Sequence, residues 1–447
     1  MEQMNSNIIW KGYLILCLGF LFLSCEKQEK EVIENEETRV ESKAAELLVL
    51  VGPEEKPTSS ISSLSLTAKE SNALSTENQY AFILLDNLFQ GKNVVYSPLS
   101  LYCNLGMLAA GSDSETHNQI KKIIGEELNR SEVNAFFKKL LSVTRALDLS
   151  VNVSTANMFC INKAVTDKIK ESFTKTLADN HKAVSPAFDF SQPMFVSKVL
   201  NRWVSLHTNG LINNLIEATD ISASEIAVLI NTVYFNGPWK QGFAESQTKK
   251  DSFTTYSGQQ TSLDFLNCTD ELFYSVQDAF SLVNIGIGQR DNHYALSVIL
   301  PNIDKTVDDI VLLFKSTDWK VITSSCKKER IQLSLPKFKQ NNVFDLSSLL
   351  QDIGIKDAFE LGKADFSFIL DNGKSIAVNR IKQKTVMDID EKGIEAAAAT
   401  YSGMGGSFYT GDNPEIKAVF KADRPFIYVL SDLESGLILF AGIYAGE

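Results

Sequence analysis

The stretch Asp390-Glu-Lys-Gly-Ile-Glu-Ala-Ala-Ala-Ala-Thr400 is the most informative segment of this chain. It follows a strand-like run, Ile376–Ile389, and precedes a loop rich in small residues that extends to about Glu415. Four consecutive alanines favour a helix, since alanine is the best helix former. The glycines at 403, 405 and 406 would interrupt a helix that continued onward. A segment this short, and composed of small residues, can remain in an exposed loop or become a strand of a sheet.

Side-chain alternation makes this segment suitable for a strand that enters a sheet, because successive side chains of a strand face opposite sides. One face would carry only uncharged residues: Ile394, Ala396, Ala398, Thr400, Ser402 and Met404. The other would carry Glu395, Ala397, Ala399, Tyr401, Gly403 and Gly405. A buried charge is strongly unfavourable. The single charge, on Glu395, falls on the face that can stay solvated, so the pattern favours insertion.

The composition excludes several classes of function. The 447 residues are 44% hydrophobic and carry a formal net charge of -12 without a basic patch, so we expect no nucleic-acid partner. None of the four histidines lies within a helical turn of another, and we predict no metal and no cofactor. Past the N-terminal region the chain has four cysteines, at positions 103, 160, 268 and 326, without a C-x-x-C motif. They could pair in an exported protein, but we expect buried thiols.

Enzyme signatures are missing from the sequence. There is no G-x-S-x-G, P-loop or G-x-G-x-x-G motif. Gly403-Met-Gly-Gly-Ser407 does not join a strand to a helix, so it is not a phosphate loop. Asp388 and Asp390 share a face of a predicted strand, but we interpret them as a solvated edge rather than an acid–base pair. We therefore predict no catalytic residues.

The N-terminus has the pattern of an export signal. Lys11 precedes the apolar run Tyr13–Leu23, which is too short to span a membrane. Phe22-Leu-Ser-Cys25 is similar to a bacterial lipobox, with Phe22 where leucine is commoner. We predict a signal peptide over residues 1–24, lipidation of Cys25 and anchoring of a bacterial lipoprotein at the outer membrane or cell surface. The alternative is a plain signal peptide, with release to the periplasm or the extracellular space.

The mature chain divides into two regions. Residues 25–71 are polar and acidic, and we predict a flexible tether, in which the short apolar patch Leu47–Val51 could dock locally. Residues 72–447 form one folded domain. Helical periodicity dominates its first half, including an apolar helix at Leu99–Ala110, and strand-like runs dominate its second half. One run, Ile226–Phe235, is apolar enough to be covered on both faces. The layout is α+β.

Six motifs in this order resemble those of the serpin family over about residues 73–444. They are Asn93-Val-Val-Tyr-Ser-Pro-Leu-Ser100, Leu229-Ile-Asn-Thr-Val-Tyr-Phe-Asn-Gly-Pro-Trp-Lys240, Leu335-Pro-Lys-Phe338, the Asp390–Thr400 stretch, Arg424-Pro-Phe426 and Leu439-Phe-Ala-Gly442. The resemblance implies three β-sheets, about nine helices and an exposed reactive loop at about residues 391–415. It also implies a suicide-type inhibitor of serine proteases, with cysteine proteases as a second target class. A protease would cleave the loop and form an acyl-enzyme, and the loop would insert into the main sheet.

The resemblance also assigns roles by position. The hinge is Glu391, Gly393, Ile394, Glu395, Ala396, Ala397, Ala398 and Ala399. The polar shutter is Ser97, Ser100, Asn231 and Gln383, where Gln383 replaces the usual histidine. Trp239 is the aromatic residue at the breach, where the loop first enters the sheet.

The reactive bond follows from the family's usual spacing, which puts the attacked residue at Ser407, followed by Phe408. The loop is longer than usual, so Tyr409 is an alternative. Because no lysine or arginine lies between Lys392 and Lys417, we expect an elastase-, subtilisin- or chymotrypsin-like target rather than a trypsin-like one. We expect a monomer. The alternative function is a non-inhibitory serpin-like binding protein whose loop is only cleaved.

Overall fold

The computed structural model describes residues 35–47, 59, 63–394 and 415–446. Its α-helices are α1 (35–47), α2 (Ala68–Leu88), α3 (Pro98–Gly111), α4 (Ser114–Ile124), α5 (Arg130–Val143), α6 (Glu171–His181), α7 (Pro193–His207), α8 (Val307–Phe314), α9 (Trp319–Ser324) and α10 (Ser347–Asp352). Its strands are β1 (Val94–Tyr96), β2 (Asn152–Asn162), β3 (Ala183–Val184), β4 (Ala187–Phe188), β5 (Ala227–Pro238), β6 (Lys249–Thr254), β7 (Gln260–Val276), β8 (Phe280–Gly286), β9 (Tyr294–Pro301), β10 (Lys327–Pro336), β11 (Phe338–Asp345), β12 (Lys382–Ile389), β13 (Gly393–Ile394), β14 (Ala418–Lys421), β15 (Phe426–Asp432) and β16 (Ile438–Tyr444). The predicted α+β class is confirmed.

The described strands form two sheets. One has nine strands in the order β1-β16-β15-β9-β8-β7-β10-β14, with β6 paired to β7. The other has seven strands in the order β11-β12-β13-β5-β2-β3, with β4 paired to β2. The resemblance implied three sheets. Hydrogen bonding joins two groups of strands into one sheet, because the 17-residue strand β7 pairs along its length with β6, β10 and β8.

The buried helix α3 lies against one face of the seven-stranded sheet. Ser97 caps it, since the Ser97 hydroxyl accepts a hydrogen bond from the Ser100 amide at 3.1 Å, and Pro98 occupies the first helical position. Every residue of α3 is buried, as the apolar sequence predicted. Its apolar side chains share the main core with Val233 of β5 and Met387 of β12. Strands β5 and β12 therefore both pack against the core that contains α3.

Helix α7 covers the opposite face of the same sheet. Its Val199, Trp203 and Val204 cluster with Met158 of β2 and Ile230 of β5. The strand β5 is therefore covered on both faces, as its long apolar run predicted.

The folded region begins earlier than predicted. Helix α2 starts at Ala68 because Thr67 and Glu70 form a capping box, with the Thr67 amide donating to Glu70 at 2.8 Å. Helix α1 lies inside the segment predicted to be a flexible tether. Its Val40, Ala44 and Leu47 are buried, and their spacing of four and three residues forms one apolar helical face. The prediction of flexibility rested on average composition and overlooked this periodicity.

Two further predictions concern the strand before the hinge and the cysteines. The strand-like run Ile376–Ile389 is a strand only from Lys382 onward. All four cysteines in the described part are free thiols, but only Cys103 and Cys160 are buried as expected, while Cys268 and Cys326 are half-buried. Within the same ranges, no helix is long and apolar enough to cross a membrane, and no group of histidine, cysteine and acidic residues could hold a metal ion.

Candidate functional site

An open seam between β5 and β12 is the central feature of the site. In the described part of the chain, strand pairing connects β5 and β12 only through the two-residue strand β13, which pairs antiparallel with both. Ile394 lies opposite Ile389 on one side and Gly237 on the other. Beyond this point lies a narrow cavity of about 20 Å³, lined by residues of both strands. The sheet thus holds the first two residues of a strand whose continuation would lie in the seam.

A tight turn delivers the chain into the seam. The Asp390 carboxylate accepts hydrogen bonds from the amides of Lys392 and Gly393 at 2.8 and 3.2 Å. Strand β12 ends at Ile389. The prediction that Asp388 and Asp390 share one face of a strand is therefore wrong, and Asp390 shapes the turn instead. Asp388 pairs with Lys339 at 2.7 Å on the solvated side. These two carboxylates therefore have structural partners of their own.

Trp239 fastens the turn to the end of β5. Its indole Nε1 donates to the Asp390 carbonyl at 2.7 Å, and its amide donates to the Lys392 carbonyl at 3.0 Å. Phe243 packs edge-on against the indole with ring centroids 5.7 Å apart, and its amide donates to the Glu391 carbonyl at 3.1 Å. Trp239 therefore lies at the entrance of the seam, beside the turn.

The Glu391 carboxylate is the ionic anchor of this entrance. It accepts hydrogen bonds from the Lys337 ammonium at 2.7 Å and the Thr248 hydroxyl at 2.9 Å. Burial opposes its ionisation, but these hydrogen bonds prevail and hold the pKa of Glu391 below its usual value. The Glu391 side chain is only 11% exposed. The first residue of the predicted hinge is therefore held in place by its own side-chain contacts.

Gln383 lies on the core side of the seam, under the open part. Its side-chain oxygen accepts from the Ser97 amide at 2.9 Å, and its side-chain nitrogen donates to the Ser97 carbonyl at 2.8 Å. The Ser97 hydroxyl donates to the Leu439 carbonyl at 2.7 Å. Gln383 thus ties β12 to the start of α3 through two hydrogen bonds that one amide side chain can supply.

Asn231 faces the same cavity from β5. Its side-chain nitrogen donates to the Asn157 side-chain oxygen at 2.5 Å, and Asn157 donates in turn to the His181 carbonyl at 2.7 Å. The Asn231 Oδ1 atom is buried and has no hydrogen-bond partner among the described residues. All four predicted shutter residues line this one cavity. Asn231 and Gln383 are fixed by separate partners on opposite sides of it.

A larger cavity of about 460 Å³ continues at the lower end of the seam. Its walls come from Ile226–Ile230 at the start of β5 and from residues 375–380 before β12. Most of the wall is apolar, including Phe159 and Phe366. The space between β5 and β12 that could accept an inserted strand therefore extends past the four shutter residues.

The remaining predicted site residues lie outside the described residues. They are Glu395, Ala396, Ala397, Ala398 and Ala399 of the hinge, the reactive-bond residues Ser407, Phe408 and Tyr409, and Cys25. The described hinge residues, Glu391, Gly393 and Ile394, meet Trp239 at the entrance.

Sequence reasoning missed several partners that hold the site together. Lys337 belongs to the Leu335–Phe338 motif that supported the resemblance, but its ion pair with Glu391 bridges 54 positions. Thr248 is 143 positions from Glu391, and no sequence signal marks it. Asn157, which holds Asn231, belongs to none of the motifs that support the resemblance. Such contacts depend on tertiary packing.

Comparisons with known proteins support one family. A family model described as Serpin (serine protease inhibitor) matches residues 75–445. Serpin-ZX of Arabidopsis thaliana is 28% identical over 386 residues, covering 83% of this chain and 97% of the relative. Neuroserpin of Homo sapiens is 25% identical over 360 residues, covering 79% and 86%. The solved structure of Arabidopsis AtSerpin1 in its native stressed conformation is 26% identical with a TM-score of 0.72, covering 85% of this chain and 99% of that one.

Proposed function

Because this chain belongs to the serpin family, whose members are generally protease inhibitors, we propose that it traps serine proteases as a covalent complex. The observation that carries the proposal is the seam, which β13 enters and which is open below β13. The similarity to AtSerpin1, whose solved structure is described as a native stressed conformation, supports the same view.

The proposed chemistry takes place at the bond after Ser407. The protease serine oxygen attacks the Ser407 carbonyl carbon, and the peptide bond to Phe408 breaks. The departing Phe408 amine takes a proton, and an ester then links Ser407 to the protease. Ordinary proteolysis would hydrolyse this ester. Insertion of the freed loop competes with that step, because it carries the protease away and distorts its active site. Loss of one oxyanion donor alone slows catalysis by about 10²–10³-fold.

The register of β13 defines where the loop would lie. Since Ile394 pairs with Gly237 and Ile389, continuing the two ladders places Ala398 between Val233 and Thr385. Even-numbered loop residues would then face α3 and the main core. Odd-numbered residues would face α7. A fully inserted Ser407 would lie roughly 40 Å from Ile394, at about 3.3 Å per residue. That distance is sufficient to move a bound protease along the whole sheet.

This register agrees with the charge pattern of the loop. The core-facing positions carry no charge as far as Met404, and Ile394, the first of them, is only 2% exposed. Glu395 would lie next to Asn236 and Asp388, where the sheet is still partly solvated. A loop with no need to enter the sheet has no reason to keep charge off one face.

The proposed target is an elastase-, subtilisin- or chymotrypsin-like protease. We therefore propose incubation with pancreatic elastase, chymotrypsin and subtilisin, followed by denaturing gel electrophoresis. A band at the summed mass that resists denaturation is expected. Clean cleavage near Ser407 without this band would contradict inhibition and favour the non-inhibitory alternative.

Two matched variants test the insertion step. Ala398→Arg places a charge on the core-facing side and is expected to convert the inhibitor into a substrate, with at least about tenfold less complex. Glu395→Arg places the same side chain on the α7 side, at the partly solvated position beside Asn236 and Asp388, and is expected to retain more complex formation. Equal behaviour of the two variants would exclude the proposed register.

Export and lipid anchoring at Cys25 are a second part of the proposal, supported by the N-terminal sequence alone. Expression in a bacterium, fractionation and mass spectrometry of the N-terminal peptide would test it. Lipid-modified Cys25 in the membrane fraction is the expected result, and an unmodified, released chain would contradict it.

A further inference from the structure

Helix α1 is docked on the outer surface of α7. Val40 and Leu47 of α1 are 8% and 3% exposed, and they belong to the same apolar cluster as Val199 and Trp203 of α7. Ala44, between them on the same helical face, is completely buried. The contact between α1 and α7 is therefore an apolar interface.

Charge pairs align the two helices. Glu36 pairs with Lys198 at 2.7 Å, and Glu41 pairs with Arg202 at 2.7 Å. The Arg39 guanidinium stacks over Phe195, 4.3 Å from the ring centroid. The three α7 partners follow one another at three and four residues, so they form a single stripe on its exposed side. The acidic side chains of α1 thus match a basic, aromatic surface on α7.

The segment that follows α7 is tied firmly to that helix. The Asn201 side chain accepts hydrogen bonds from the amides of Leu215 and Ile216 at 2.8 and 2.9 Å and donates to the Ile216 carbonyl. Ser205 donates to Asn213 at 2.7 Å. Residues 208–225, which we call the strap, are therefore expected to move with α7.

The strap crosses the seam and is bonded to β12. Lys384 donates to Asn214, and Lys382 pairs with Asp220 at 2.6 Å. Arg380, just before β12, also pairs with Asp220. The strap runs on into β5 at Ala227. The two strands that border the seam are thus held together across their α7 side.

An inserting loop would have to pass beneath this crossing. In the proposed register, Ala399 lies beside Lys384 and Tyr401 lies beside Lys382, both facing α7. Lys384 and Lys382 are the residues that the strap holds through Asn214 and Asp220, so the strap, and α7 with it, must shift for the loop to pair with β12 there. Anything that holds α7 in place would slow that shift.

We propose that the surface of α7 is a docking site for the chain's own helix α1, and that the docked helix is a clamp that slows opening of the seam. The effect on insertion rests on the proposed inhibitory function, but the clamping of α7 does not. Undocking α1 should loosen α7 and the strap, and should accelerate both insertion after cleavage and spontaneous insertion of the uncleaved loop.

The test uses the full chain with Val40→Asp and Leu47→Asp, which place charges in the apolar interface. The matched control is Ala45→Asp, on the exposed side of the same helix. Hydrogen–deuterium exchange is followed in peptides from α7 and the strap, and loss of inhibitory activity is followed during incubation at elevated temperature.

For the undocked variant we expect faster exchange in α7 and the strap, and activity loss accelerated about tenfold or more, equivalent to about 1.4 kcal/mol in the barrier. The control should match the unmodified chain in both measurements. Faster exchange in a chain that proves non-inhibitory would support the clamp while contradicting the proposed function. Unchanged exchange in α7 and the strap would overturn the clamp, whatever happens to inhibition.

Discussion

At the scale of single residues, Asn231 has a hydrogen-bonding capacity that insertion could satisfy. Its buried Oδ1 lacks a partner among the described residues. The proposed register brings Thr400 between Asn231 and Gln383, on the face that points toward this atom. A buried acceptor without a partner costs about 1–3 kcal/mol. The Thr400 hydroxyl is therefore expected to stabilise the inserted form specifically.

Thr400→Val tests this pairing, because it replaces the hydroxyl by a methyl group of similar size. We expect more of the inhibitor to be cleaved without trapping protease, measured as a higher number of inhibitor molecules consumed per complex. Thr400→Ser keeps a hydroxyl and should behave like the unmodified chain. Equal stoichiometry for the valine and serine variants would refute the contact.

Glu77 makes a second residue-scale prediction, on pH. It is 4% exposed in α2, its Oε2 has no partner in the described part of the chain, and burial raises its pKa to about 8. The folded state thus binds a proton that the unfolded state releases above about 4.5. The stability it contributes is complete below pH 4.5 and is lost as pH rises through 8.

Glu77→Gln keeps the shape of the side chain without its charge. We expect the variant to gain thermal stability relative to the unmodified chain as pH rises from 5 to 8, by several kcal/mol at about 1.4 kcal/mol per unit of pKa shift. Melting temperatures measured across this range supply the check, and a constant difference between the two proteins would count against a buried, protonated Glu77.

At the scale of elements, the short strand β13 depends on a close approach between two backbones. A Cβ atom on Gly393 would lie 2.2 Å from the Gly237 carbonyl oxygen of β5. Gly393→Ala is therefore expected to expel β13 from the seam. Gly242→Ala is a matched control at the same entrance, since its Cβ would make an ordinary 3.6 Å contact with the Glu391 carbonyl.

Amide exchange of peptides that contain Ile394 provides the measurement. The Gly393 variant should lose protection there, while the Gly242 variant should keep it. Retained protection in both would mean that the hinge holds its place without the close approach.

The elements also show how far sequence reasoning can reach. Helix α3 was predictable because its cap and apolar content are local signals. Strands β7 and β11 have no clear apolar signal in the sequence, because they alternate polar and partly buried side chains, and strand formation there depends on neighbouring strands. The motif marked Glu391 as the first residue of the predicted hinge, but its ion pair with Lys337 could not be predicted, because the fold alone brings the two together. Helix α1 could have been predicted from the helical spacing of Val40, Ala44 and Leu47, which lie inside an acidic segment.

At the scale of the whole molecule, the open seam leaves room for one more strand in the sheet. In the described fold, the facing edges of β5 and β12 are paired only with the two residues of β13. Between β5 and β12, residues 395–401 could gain hydrogen bonds on both sides in the proposed register. The native form is then protected by the barrier to insertion rather than by its free energy. The clamp formed by α1 and α7 would contribute to that barrier.

Cleavage in the reactive loop should therefore raise the thermal stability of the whole chain. If roughly fourteen added hydrogen bonds contribute about 0.5 kcal/mol each, the low end of the usual range, the gain at about 2 °C per kcal/mol is roughly 15 °C. Calorimetry of the chain before and after limited proteolysis provides the measurement. The cleaved Ala398→Arg variant should show little of this gain, because its charge blocks insertion. If the unmodified chain melts at the same temperature after cleavage, the loop has not entered the sheet, and β13 is then a short bridge between β12 and β5 that leads to no further insertion.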